Sequence, residues 1–119
     1  MTFHFDIGGF DASTTEIRLK GNHLHIYEYY WQKSPDQKPL LVNIKENADW
    51  LSLVAYLNTR RWKSEYIDVG ICDGTQWTVK VVTDQVKFSC YGSNAYPHGF
   101  NTFLLLLSKI TAAVNVSLI

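Results

Sequence analysis

The chain has 119 residues, of which 46% are hydrophobic, the length of one domain with enough apolar side chains for its own core, so a disordered segment is excluded. Eleven basic residues balance eleven acidic ones, leaving no basic excess to displace counterions, and no direct nucleic-acid binding is expected. Aromatic residues reach 14%, with four Trp and seven Tyr, so some rings belong on a surface, where such side chains anchor partners.

Thr2–Ile7 alternates, with Phe3, Phe5 and Ile7 on one face, and Gly8-Gly9 ends it. Thr14–Lys20 is a second strand, with Ile17 and Leu19 inward. Gly21-Asn22 turns the chain tightly into His23–Trp31, the clearest long strand. Leu24, Ile26, Glu28 and Tyr30 fall on one of its faces; His23, His25, Tyr27, Tyr29 and Trp31 fall on the other. Both faces are partly apolar. Either a second layer covers the aromatic face, or that face binds a partner through Tyr27, Tyr29 and Trp31, with Glu28 at an edge. Lys33–Lys38 is a polar, Pro-containing loop, and Pro39–Ile44 is a further strand.

Asn47 caps a helix running from Ala48 to about Leu57, and Asp49 suits its first turn. Trp50, Leu53, Val54 and Leu57 follow helical spacing and face the sheet. Arg60 and Arg61 sit where cations favour a helix C-terminus, so with Lys63 they read as a solvated helix end. Glu65–Ile71 alternates again, with Ile67, Val69 and Ile71 inward, and Asp73-Gly74 is a strong hairpin signal. Gln76–Val82 places Trp77, Val79 and Val81 on one face, and Gln85–Tyr91 points Val86, Phe88 and Cys90 inward. These three strands read as a meander with one wet face. In the turn 92–99, Gly92 permits a positive φ and Asn94 tolerates one, and Tyr96-Pro97 is a place where a cis bond is worth checking. Asn101 then caps a helix to about Ala113, with Phe100 and Leu105 as a staple and Phe103, Leu104, Leu107 and Ile110 on its core face.

The chemistry of a catalyst is missing. His23 and His25 lie roughly 7 Å apart on one strand face, a metal-capable pair that would need a third ligand from His4, His98 or a carboxylate; surface histidines are the commoner reading. Glu65 and Asp68 fall on opposite strand faces and Asp73 has its turn to make, so no catalytic carboxylate pair forms. Ser89, Cys90 and Ser93 fit no nucleophile elbow, and no phosphate-cradling Gly loop is present. Cys72 and Cys90 show no redox or zinc spacing and read as buried thiols of a reducing compartment. The first ten residues lack a signal-peptide pattern, and the longest apolar run, 103–107, is too short to span a bilayer. The expected location is cytoplasmic, without membrane, metal or cofactor.

Two motifs carry a family resemblance: Asp73-Gly74-Thr75-Gln76-Trp77 and Gly92-Ser93-Asn94-Ala95-Tyr96-Pro97, followed by a Phe/Leu-rich helix. Over about 65–107 the chain resembles small bacterial proteins with these motifs, several of which are similar to immunity proteins of polymorphic toxin systems, including contact-dependent growth inhibition. The resemblance implies a stoichiometric inhibitor that blocks a cognate toxin, a nuclease being one candidate, as a monomer or a one-to-one complex and with no turnover of its own. The motif residues themselves read as scaffold. Nuclease toxins are often basic, so the expected contacts are the acids Glu28, Asp36, Glu65 and Asp68 beside Tyr27, Tyr29 and Trp31.

The expected fold is a single α+β domain over 1–119: four strands, a helix, three strands and a helix, forming a mostly antiparallel sheet of about six or seven strands with both helices packed on it. The alternative functional reading is a small-ligand-binding or enzymatic α+β domain with a cleft near His23 and His25, lined also by Tyr29. A third is a subunit joining a larger complex through the Leu105–Leu106 side of the last helix.

Overall fold

The computed structural model describes residues 1–9, 12–70 and 74–119. Four strands come first: β1 (Thr2–Gly9), β2 (Thr14–Lys20), β3 (His23–Tyr29) and β4 (Leu40–Asn43). Helix α1 (Ala48–Leu57), β5 (Glu65–Ile67), β6 (Thr75–Val82), β7 (Lys87–Ser93) and helix α2 (Phe100–Thr111) follow. The seven strands form one sheet in the order β4-β3-β2-β1-β6-β7-β5, antiparallel throughout except for the parallel edge pair of β5 with β7. The expected α+β architecture of one domain is therefore present.

Period-2 alternation places one residue set of each strand on a common face. Phe5 pairs with Ile17 and with Val79, Ile17 with Ile26, Leu24 with Val42, and Val79 with Cys90. Both helices cover this face. Trp50, Leu53 and Leu57 of α1 and Phe100, Phe103, Leu104, Leu107 and Ile110 of α2 bury themselves in the same core. Phe103 is fully buried, with the rings of Phe5 at 5.1 Å, Trp62 at 5.6 Å and Phe100 at 5.7 Å. A truncation there costs about 3–5 kcal/mol. The cap of α1 is as the sequence predicts: Asn47 Oδ1 accepts the Trp50 N–H at 3.0 Å.

Several expectations need correction. Gly8-Gly9 does not end β1, because both residues stay paired with Gln76 and Thr75; a Cβ at Gly9 would meet the Gly74 carbonyl oxygen at 2.6 Å. β3 stops at Tyr29, and Trp31 takes a positive φ of 66° in the loop beyond, so it is not a strand residue. The predicted strand 65–71 shrinks to Glu65–Ile67, and its inward residue is Tyr66, whose ring lies 6.1 Å from that of Trp77. Ile67 and Val69 are exposed instead. The cause is topological: β5 joins the outer edge of β7 in parallel, so it is not the neighbour of β6 and no three-stranded meander forms. Ile71, Cys72 and Asp73 lie outside the described residues.

At α2 the cap is Gly99, at φ 86°, without a side-chain bond, and Asn101 is an exposed residue within the helix. A Cβ at Gly99 would run into the Tyr56 hydroxyl, which donates to the Gly99 carbonyl at 2.8 Å. Arg60 does not lie in the last turn of α1; its guanidinium rests over the Tyr56 ring, 4.2 Å from the centroid. The Tyr96-Pro97 bond is trans, as are all described peptide bonds.

Candidate functional site

The face of the sheet away from the helices is organised in transverse rows set by the strand register. One row reads Tyr27, Glu16, Asp6, Thr78, Tyr91 and Glu65 from β3 to β5. Two residues along the strands, a second row reads Leu41, His25, Arg18, His4, Lys80 and Ser89. Beyond it lie His23 paired with Lys20, and Val82 paired with Lys87. The first row carries the acids and the next two carry the cations. Among the described residues no helix packs over this face, so the second core layer weighed for the aromatic side of β3 is not found there.

Two of the acids in the first row, Asp6 and Glu16, have partners within the face. Thr78 Oγ1 donates to Asp6 Oδ2 at 2.7 Å. Glu16 is buried, with Lys33 Nζ at 3.0 Å and Arg18 at 3.8 Å. Lys33 comes from the 30–39 loop, which folds onto the face, and its ammonium also sits 4.1 Å from the centroid of the Tyr27 ring. Tyr27 is thereby left 9% exposed. It acts as the platform for Lys33. Tyr29 is half-buried, and burial, with Glu16 and Asp6 nearby, raises its hydroxyl pKa.

The remaining predicted contact residues divide. Glu65 is exposed on the open face, at the far end of the row that begins with Tyr27. Five strand spacings separate them, ~24 Å. Glu28 points to the helix-side face opposite Thr15, and its carbonyl accepts from Gln37 Nε2 at 2.9 Å. Trp31, 82% exposed, and Asp36 belong to the 30–39 loop. Asp68 lies just past the β5 edge, where its carboxylate accepts the Gly70 N–H at 3.0 Å and serves a turn. The seven residues thus fall into a β3-and-loop group and a β5-edge group.

Sequence reasoning passed over the cations of the open face. Arg18, Lys20, Lys80 and Lys87 are all exposed there. Each alone reads as an ordinary outward strand residue, and only the register gathers them. His4 sits between Arg18 and Lys80, its direct cross-strand partners. Burial first, then the Arg18 charge, lowers its pKa below 6.5, and Lys80 adds to this. At neutral pH the ring is therefore uncharged, and its 3.4 Å approach to Asp6 is not a full ion pair. Its buried Nε2 has no hydrogen-bond partner among the described residues. The His25 pKa is also lowered, by burial and then by Lys20 and His23.

The motif residues build scaffold. Trp77 is fully buried and its indole N–H donates to the Ala95 carbonyl at 3.0 Å. Tyr96 stacks over it, 6.3 Å between centroids and 14° between planes. A Cβ at Gly92 would overlap the Trp77 ring at Cε2, Nε1 and Cζ2, and Gly92 does not have a positive φ; it is needed for space. Asn94, at φ 57°, accepts the Thr75 N–H on its Oδ1 at 2.8 Å. A Cβ at Gly74 would strike that same side chain.

Other chemistry is sparse. No group of three His, Cys, Asp or Glu able to hold a metal occurs among the described residues, and His23 and His25 face cations. Burial pushes the Cys90 thiol up to about 11, which leaves it protonated and a poor nucleophile. A cleft of about 280 Å³ opens at the end of β1 between Gly8, Ser13, Thr75 and the 117–119 tail; His23, His25 and Tyr29 do not line it. No described helix is long and apolar enough to cross a membrane. Comparison with known proteins gives no match to a family model, a curated protein or a solved structure.

Proposed function

We propose that this chain is an immunity protein that binds and neutralises a cognate bacterial toxin by occluding it, one to one, in the cytoplasm. The observation that carries the reading is the open sheet face: broad, free of any packed helix among the described residues and bearing a fixed pattern of charge. Occlusion needs such a surface and no catalytic group. A standard interface buries about 800 Å² per partner, a patch roughly 28 Å across, which is enough to reach from Tyr29 to Glu65. The motif resemblance supports the same reading, and the internal satisfaction of the motif residues fits their being frame rather than site.

The test is co-expression with the toxin domain encoded beside this chain in its source genome. Rescue of growth together with a one-to-one complex on gel filtration is the expected result. Loss of rescue by an equimolar partner, or rescue without any complex, refutes occlusion.

A further inference from the structure

We propose that the basic end of the open face docks an acidic protein surface. This deepens the immunity reading and rests on it: the acidic surface belongs to the toxin, which reverses the expectation that acids of this chain meet a basic toxin.

Three strands, β2, β6 and β7, with β1 between β2 and β6, bring Arg18, Lys20, Lys80 and Lys87 onto one end of the face, spread over three strand spacings, ~14 Å. The register rows that hold them contain no Asp or Glu. Arg18 reaches back 3.8 Å to Glu16; Lys20, Lys80 and Lys87 have no carboxylate within 4 Å among the described residues. The acids of the neighbouring row are no ion-pair partners for Lys20, Lys80 and Lys87: Glu16 is buried under Lys33, Asp6 is bonded to Thr78, and Glu65 stands at the β5 edge. The charge offered to a partner from this end is therefore positive, although the whole chain is neutral.

Like charges placed side by side across strands are unfavourable. The fold reduces the conflict by keeping His4 neutral between Arg18 and Lys80. An incoming carboxylate removes the remainder, which makes the pattern complementary to acids. Protein carboxylates fit better than nucleic acid. The tyrosines of this face lie in the other rows, so no Tyr, Trp or Phe ring is available for base stacking at the basic end. The neutral whole chain also gives little long-range attraction for a polyanion.

The test uses the full chain and a Lys20→Glu/Lys80→Glu/Lys87→Glu variant. All three residues are exposed, and circular dichroism checks that the variant folds. Fluorescence anisotropy at low salt compares a labelled oligo-glutamate peptide with labelled oligouridine. Wild type should bind oligo-glutamate, the variant roughly tenfold or more weakly, and oligouridine no more tightly. No oligo-glutamate binding, or equal binding by the variant, overturns the proposal; tighter oligouridine binding reassigns the face to nucleic acid. The same variant is then tried against the toxin domain. A toxin complex of unchanged affinity overturns the proposal and leaves the immunity reading standing. Loss of oligo-glutamate binding in the variant, with no toxin complex even for wild type, removes the immunity reading and keeps the cationic docking face.

Discussion

Gly92→Ala is the substitution that probes the scaffold most directly. Gly92 pairs with Trp77 across β6 and β7, and its missing side chain is the space into which the indole packs. A methyl there collides with three ring atoms of a fully buried Trp77. The ring cannot slide away freely, because Tyr66, Tyr96 and Phe100 surround it, Phe100 at 4.6 Å between centroids. Overpacking of this kind costs about 1–3 kcal/mol. If the indole turns to escape, its N–H loses the Ala95 carbonyl, which adds about 1–3 kcal/mol for an unsatisfied buried donor. The sum is about 2–6 kcal/mol, a large share of the stability of an ordinary domain. For this length it lowers Tm by roughly 10–20 °C. Thermal unfolding followed by near-ultraviolet circular dichroism reads both the shift and the changed indole environment. In a Trp77→Leu background the methyl enters emptied space, so the same glycine change should cost much less there. A Tm lowered by less than about 3 °C in the otherwise native chain, or full additivity in the double variant, refutes the argument.

Three further changes follow from the same geometry. Thr111→Val removes a hydroxyl that is fully buried and donates to the Val116 carbonyl at 2.7 Å; urea titration should give a loss of about 1–3 kcal/mol, and an unchanged midpoint contradicts the bond. Tyr56→Phe deletes the hydroxyl that joins Arg60 to the Gly99 carbonyl at the start of α2, and should cost about 1–2 kcal/mol in the same assay. His4 has a depressed pKa in the fold, so below its ordinary 6.5 the unfolded chain takes up a proton that the folded chain resists. Stability therefore falls as pH drops through that value, and His25 acts in the same direction. His4→Gln should flatten the decline in urea midpoint between neutral and mildly acidic pH, and an identical decline in the variant removes His4 as its source.

The parts of the fold legible in the sequence were those written in local period. Alternation in 14–20, 23–29 and 75–82 and helical spacing in 48–57 determine which residues turn inward, and the core follows them. The partner of each strand was not local information. The predicted strand from Glu65 carried a plausible alternation, yet its fate depended on β7 offering a free edge, and that edge selected Tyr66 as the inward residue. Gly92 was legible as special but not for the right reason, since its need is space for a ring fifteen positions away. The candidate site fared similarly. Tyr27 was placed on the correct face, but nothing in its own strand announces that Lys33 will cover it. Arg18 and Lys80 lie far apart in sequence and become near neighbours only because β1 runs between β2 and β6.

Under the proposed function, the division between frame and face separates stability from partner choice. The motif region 65–107 supplies β6, β7 and α2, and its special residues are locked into one another by Trp77, Asn94 and Tyr96. A change there strikes the core. The first sixty residues supply the four strands from β1 to β4, whose outward positions touch no helix among the described residues. The exposed charge at Lys20, which has no carboxylate within 4 Å among the described residues, can therefore change sign at a stability cost within about 0.5 kcal/mol, the ordinary range for surface substitutions. Partner choice, by contrast, responds strongly, because misplaced like charges across an interface cost several kcal/mol. Reversing Lys20 should leave the unfolding midpoint almost unchanged while weakening docking to an acidic surface. A large loss of stability in that variant would mean that the open face is part of the frame.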